Sequence, residues 1–320
     1  MTELSIIIVN YNGTGFIEDC LRSIRENIAV EDSNLSYEVI IVDNCSNDNS
    51  LEYIGRFCKK YADFRLIKNI RNMGFGTASN AGALEARGRF LLFLNPDCRF
   101  LEKKIYKIIK YYRKTKNIGA LGVRMLDAEG NLQMSCRAFP GIAIQFYESY
   151  FLYRIFKKSR IFGSYFMTWW DHRTTGEVDW LSGSFILIKK QIFEGIGGFD
   201  SDYFMYSEDS DLCLRLHREG FKNHYYCEYS VEHSDGGIAS RDMARREAEV
   251  WRSRRLYFKK NHSELSAIVF SFLYFLGLIN RIIVFGAASI FSVEVRRQKR
   301  LQWHIRAIGS YFSGRYEGGQ

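Results

Sequence analysis

Five short apolar runs, each followed by polar residues and most by a longer amphipathic stretch, fill the first 125 residues and narrow the choice of fold more than anything else in the chain. The runs are Leu4 to Val9, Tyr37 to Val42, Phe64 to Lys68, Phe90 to Leu94 and Ile118 to Val123; the amphipathic stretches lie near 14–28, 50–61, 76–87 and 102–115. Strands that are apolar throughout must be covered on both faces, which helices laid over a largely parallel sheet achieve. The expected class is α/β with a mostly parallel, Rossmann-like central sheet. Such sheets bind ligands beyond the carboxyl ends of their strands. There the chain places Asn10, Tyr11 and Asn12 after the first run, Asp43 and Asn44 after the second, and Asn95, Pro96 and Asp97 after the run Phe90 to Leu94. A helix cap or a turn explains Asn12 or Asn44 alone equally well. Asp97 resists that explanation, because an apolar strand running directly into Asn-Pro-Asp sets a carboxylate at the mouth of the sheet.

The segment NMGFGTASNAG, from Asn72 to Gly82, has Gly74 and Gly76 in GxG spacing. A dinucleotide fingerprint is excluded, since the third glycine position is Ser79 and the segment follows the third strand instead of the first. What remains is a glycine-rich entry to a helix where backbone can approach a nucleotide.

Beyond residue 125 the alternation lapses. An aromatic and basic insert spans roughly 139–176, read either as ordinary core or as a surface that meets lipid. WLSGSFILIKK from Trp180, IGGFD at 196–200 and SEDSDLCLRLHREG at 207–220 follow. The last sets Glu208, Asp209 and Asp211 at a helix start, where carboxylates are also stabilised as simple caps. His233 stands in VEHSDGG, and an isolated histidine is as often structural as functional.

Charge divides the chain unevenly. Of 45 basic and 36 acidic side chains, residues 241–320 hold 15 and 6, so the net +9 resides in the last 80 residues and the body before them is neutral. A neutral body argues against a nucleic-acid partner, and a basic tail suggests docking on an anionic membrane surface. The tail holds the longest apolar stretch, Leu265 to Phe291, interrupted at Asn280 and Arg281 and flanked by Arg252, Arg254, Arg255, Lys259 and Lys260 on one side and Arg296, Arg297, Lys299 and Arg300 on the other. An interfacial or re-entrant helix pair, a single span, and a helix buried against protein are all consistent with it. Two regions are expected, a catalytic domain over 1–240 and a helical membrane-association region over 241–320. The opening MTELSIIIVN lacks the basic and apolar segments of a signal peptide, so the expected workplace is cytoplasmic. Seven cysteines without a CxxC pair read as reduced thiols.

Eight segments, in order from about residue 4 to 262, together resemble one family: IIIVNYN with Leu21, Arg22 and Ser23, then IIVDNCSNDNS, NMGFGTASNAG, LLFLNPD, WLSGSFILIKK, IGGFD, FMYSEDSDLCLRLHREG and VEHSDGG. The chain is similar to inverting family 2 glycosyltransferases of the GT-A fold, nearest their rhamnosyltransferase branch. The resemblance implies that Asn10, Tyr11 and Asp43 hold nucleobase and ribose, that Asn80 and the backbone of Gly74 and Gly76 line the nucleotide, and that Asn95 and Asp97 occupy the Asp-x-Asp position. It implies a Mg²⁺ or Mn²⁺ ion held by Asp97 and His233, Asp209 as catalytic base, and Glu208 and Trp180 at the acceptor. Asn95 departs from that pattern and removes one anionic ligand. The implied donor is dTDP-rhamnose, with UDP-linked galactofuranose, GlcNAc or galactose as rivals. The implied acceptor is a polyprenyl-diphosphate-linked saccharide on the cytoplasmic face of a bacterial inner membrane, during O-antigen or similar polysaccharide assembly. A sugar nucleotidyltransferase or a non-catalytic carbohydrate-binding protein are the readings from other classes, and a homo-oligomer is left open.

Overall fold

The first strands have the apolar, β-branched composition of buried sheet, and the computed structural model, which describes residues 2–28, 35–234 and 243–290, buries them accordingly. In chain order the elements are β1 (Leu4–Asn10), α1 (Ile17–Ile28), β2 (Tyr37–Asp43), α2 (Ser50–Lys60), β3 (Phe64–Lys68), α3 (Phe75–Glu85) and β4 (Phe90–Leu94). There follow β5 (Cys98–Phe100), α4 (Tyr106–Lys114), β6 (Ile118–Leu126), β7 (Leu132–Gln133), β8 (Cys136–Arg137), α5 (Ile142–Ser149), α6 (Leu152–Ile155), β9 (Gly176–Val178), β10 (Trp180–Leu181) and β11 (Phe185–Lys189). The remainder comprises α7 (Lys190–Gly195), α8 (Glu208–Arg218), β12 (Lys222–His233), α9 (Met243–Asn261) and α10 (Glu264–Ile290).

The principal sheet has the order β3-β2-β1-β4-β11-β6-β12-β5. Its first four strands are parallel, as the alternating pattern predicts. The sheet then turns mixed, because β11 lies antiparallel to both β4 and β6. Helix α1 covers one face with Ile17, Cys20, Leu21, Ile24 and Ile28, which join Ile6, Ile8, Val39, Ile41, Leu92 and Leu94 in one core. The small side chains of α3 bring its backbone close to the other face, where Gly82 lies against Ile7 and Val42.

Two compact units emerge. The sheet unit comprises Met1–Ala138, Asp171–Phe204 and Glu208–Ile238; the second gathers the insert Phe139–Trp170, Met205–Ser207 and the chain from Ala239 onward. The aromatic insert therefore packs with the C-terminal helices, although it lies among the sheet motifs in sequence. Within it Tyr165 is buried as core, whereas Phe146, Ile155 and Phe156 are exposed. The apolar stretch is not a helix pair. It runs as one helix through Asn280 and Arg281, which stay helical because Asn280 donates to the Ser149 carbonyl at 2.8 Å and Arg281 lies 3.7 Å from Glu247. The basic cluster from Arg296 to Arg300 lies outside the described residues.

Candidate active site

The parallel register sets Asn10 directly opposite Asp43 at the carboxyl ends of β1 and β2. Both are buried, and an isolated buried carboxylate is costly, so Asp43 is satisfied locally. Its Oδ1 accepts from Asn10 Nδ2 at 2.9 Å and its Oδ2 from the Ser46 amide at 3.1 Å. Asn12, at a left-handed φ of 52°, donates its amide to Ser46 Oγ and accepts from the Asn47 amide. These bonds join the loops after β1 and β2 into one polar rim, with Tyr11 half-exposed beside it.

Asp97 and His233 come together through sheet pairing. β5 runs antiparallel to β12 with Cys98 opposite His233, and the Ser234 amide donates to the Asp97 carbonyl at 3.0 Å. His233 Nε2 lies 3.4 Å from Asp97 Oδ1. The tautomer follows from Gln133, whose Nε2 donates to the His233 carbonyl at 2.7 Å, leaving its Oε1 to accept from His233 Nδ1 at 2.8 Å. In the neutral ring the Nε2 lone pair then points toward Asp97, whose Oδ1 is buried without a hydrogen-bond partner. An acceptor facing an orphaned carboxylate oxygen is a donor set for a hard or borderline divalent cation, and Gln133 is the kind of outer partner that orients a ligating histidine. Among the described residues, Asp97, Cys98 and His233 have ligand atoms within 4.8 Å of one another. Cys98 does not suit the role: its Sγ donates to the Ser184 carbonyl at 3.4 Å, and burial pushes the thiol well up. Asn95 supports the pair from beneath, with its Nδ2 3.2 Å from Ser184 Oγ, which in turn lies 3.3 Å from His233 Nε2.

The segment Ser182-Gly183-Ser184 joins this pair to Asp209. Ser184 touches Asn95 and His233, and the Gly183 amide donates to Asp209 Oδ2 at 3.0 Å. Asp209 Oδ1 accepts from the Ser210 amide at 2.8 Å at the start of α8. Burial raises the half-buried Asp209 carboxyl above its ordinary range, partly offset by these two amides and by the positive charge of Arg137. Helix α8 is entered through Tyr206 and Ser207, both left-handed, at φ 69° and 66°. Such strain, about 1–3 kcal/mol per residue, accumulates where a side chain must be aimed.

The other expected residues make the following contacts. Asn80 clamps the backbone of Phe199, donating to its carbonyl at 2.7 Å and accepting from its amide at 2.9 Å. Gly74 has φ 80°, and a β-carbon there would lie 2.1 Å from the Phe204 carbonyl oxygen; one at Gly76 would press on Phe199. These three residues of NMGFGTASNAG hold the 196–204 loop, so Asn80 supports that loop in this structure. Trp180, only 6% exposed, donates Nε1 to the Ala138 carbonyl at 2.8 Å and carries the Arg137 guanidinium over its ring at 5.1 Å. Asp211 is structural, paired at 2.7 Å with Arg215, whose other nitrogens hold the Ile196 and Gly198 carbonyls. Glu208 is buried with Oε2 lacking a hydrogen-bond partner, and burial, then the neighbouring Asp209 charge, keeps its carboxyl well above the usual range.

The sequence model described as Glycosyl transferase family 2 matches residues 5–215, a span containing every one of these residues except His233. The chain belongs to glycosyl transferase family 2. The rhamnosyltransferase WbbL of Escherichia coli K12 is 30% identical over 240 residues, covering 71% of this chain and 82% of the relative. An N-acetylglucosaminyl-diphospho-decaprenol L-rhamnosyltransferase of Mycobacterium tuberculosis is 27% identical over 283 residues, covering 82% and 86%. In structure, the mannosyltransferase PcManGT of Pyrobaculum calidifontis, solved with GDP-Man and Mn²⁺, superimposes with a TM-score of 0.59 at 13% identity, covering 98% of this chain and 88% of that one. The family 2 chain thus has a GT-A-type fold. Sequence reasoning passed over Gly183, Ser184, Gln133 and Arg137; the first two lay in a quoted motif, while nothing local marks the others.

Proposed function

We propose that this family 2 glycosyltransferase moves a sugar, rhamnose from dTDP-rhamnose, with inversion onto a polyprenyl-diphosphate-linked saccharide at the cytoplasmic face of a bacterial inner membrane. The carrying observation is that one three-residue segment, Ser182 to Ser184, touches both Asp209 and the His233 side of the Asp97–His233 pair. A base and an anion-stabilising site are thereby held in fixed relation, as a single displacement needs.

Asn10, Tyr11 and Asp43 bind the nucleoside, the Asp43 carboxylate accepting from the imide N–H that thymine and uracil share. Asp209 takes the proton of the acceptor hydroxyl while that oxygen bonds to the anomeric carbon and the bond to the nucleoside diphosphate breaks, which inverts the centre. Base assistance of this kind contributes about 10² to 10⁴-fold. Asp97 and His233 would hold Mg²⁺ or Mn²⁺, which neutralises charge on the departing diphosphate when bound. Glu208 lies beside the base on the acceptor side. Two rhamnosyltransferase relatives support rhamnose, one of them named for a decaprenyl-diphosphate-linked acceptor.

The test incubates the enzyme and native membranes with a panel of labelled dTDP- and UDP-sugars. Label from dTDP-rhamnose in the lipid fraction is expected. Label from a UDP-sugar alone replaces the donor, and none from any sugar overturns the reading.

A further inference from the structure

The second unit is built on α5, α9 and α10, and what α10 presents to each side is unequal. Toward its neighbours it turns Ala267, Phe270, Ser271, Tyr274, Gly277 and Leu278, all buried. Tyr274 donates to Glu247 of α9 at 2.7 Å, Phe270 stacks on Phe258 of α9 at 4.8 Å, and Ser149 of α5 donates to the Leu273 carbonyl at 3.0 Å. The contacts of α10 with α9 thus run from Glu264 to Arg281, along most of the described helix. On the outside, Leu265, Ile268, Phe272, Ile279 and Ile283 recur at helical spacing, and each is exposed, Phe272 at 60%. That stripe has no polar member.

We propose that α10 lies flat in the headgroup–acyl boundary of an anionic bilayer, stripe inward, and does not cross it. Length and composition alone would permit a span over Glu264–Val284. The packing opposes one, because α10 would draw α9 into hydrocarbon with Glu247, Arg252, Arg254 and Arg255, and charged side chains at that depth are strongly disfavoured. A helix apolar on one side and joined to a charged partner on the other is the form of an interfacial helix. Charge identifies the occupant as lipid and not a second copy. In the same unit Ile155, Phe156 and Ile161 are exposed among exposed Arg154, Lys157, Lys158 and Arg160, and the sequence after α10 carries Arg296, Arg297, Lys299 and Arg300. Apolar side chains interleaved with cations suit anionic headgroups, whereas two identical basic faces repel. This inference rests on the proposed work at a membrane, and its test needs no activity.

Trp is placed singly at Leu265, Phe272, Ile279 and Ile283 of the full chain. Each variant is mixed with phosphatidylglycerol–phosphatidylethanolamine vesicles brominated at a shallow or a deep acyl carbon, and quenching is read above that of the five native tryptophans. All four positions quenched most by the same shallow bromine is the expected result. Phe272 quenched by the deep bromine, with Leu265 and Ile283 shallow, means a span and overturns the flat placement. No added quenching at any position means that protein covers the face and overturns lipid contact altogether, whether or not transfer is found in the lipid fraction. Independently, Phe272→Glu with Ile279→Glu lowers vesicle partitioning at least about tenfold. Lys158→Glu lowers it roughly fivefold, and only on vesicles containing phosphatidylglycerol. Unchanged partitioning in both variants overturns the proposal.

Discussion

His233 Nε2 faces Asp97 Oδ1 at 3.4 Å, while Gln133 secures the opposite side of the imidazole. With the ring neutral, the Nε2 lone pair faces the orphaned Asp97 oxygen, with the Ser184 hydroxyl 3.3 Å away, an arrangement that a cation would suit. The pairing of β5 with β12 enforces the distance between residues 136 positions apart, so the site is part of the sheet and not of a mobile loop.

If Asp97 and His233 hold a cation as proposed, loss of either should weaken donor binding. Asp97→Ala and His233→Ala are expected to lower Mn²⁺-dependent affinity for the nucleotide sugar, and Gln133→Ala to lower it about 10- to 100-fold through ring orientation. Calorimetry with and without chelator reads this. A wild type that binds donor equally well in excess chelator contradicts it.

Asp209→Asn should cut transfer by about 10² to 10⁴-fold with donor affinity unchanged, measured by turnover beside calorimetry. Because burial raises this carboxyl, the ionised base is lost as pH falls at a higher pH than for an ordinary aspartate. Arg137 lowers it, so Arg137→Met should move the acid limb of the kcat profile to higher pH. An unmoved limb separates Arg137 from the base.

Glu208 gives a stability test with a definite sign. Its folded carboxyl titrates above its unfolded one, so the folded protein binds the extra proton, and stability falls as pH rises through the interval between the two values. Glu208→Gln should remove that dependence. The variant should melt above the wild type at pH 8, with the gap closing below the ordinary glutamate range of about 4.3. A pH-independent difference in thermal melts contradicts the assignment.

Loop support by Asn80 and Gly74 is separable from donor contact. Asn80→Ala should cost about 1–3 kcal/mol in urea melts through its two lost bonds to Phe199. Gly74→Ala should cost at least as much, through its left-handed φ and the Phe204 carbonyl. Donor affinity of the folded fraction should hold. Weakened donor binding with unchanged stability would instead set Asn80 at the nucleotide.

Much of this was legible from residue order. The strands of the parallel half start as expected and end within one residue of expectation, because a fully buried strand needs an unbroken apolar run and its polar successors mark the rim. Asn10, Asp43 and Asp97 stood out for that reason. The antiparallel insertion of β11 could not be read, since an apolar run reads the same in either direction.

The sequence by itself determined a largely parallel α/β sheet, the family and the polar residues at the strand ends, because the sheet follows from periodicity and the family from motif order. That Asp97 meets His233, that Asn80 braces the Phe199 backbone, and that Trp180 lies beneath Arg137 were decided by tertiary structure. Burial and hydrogen-bond partners come from residues up to 137 positions away, as between Ser234 and Asp97, and no local pattern encodes them.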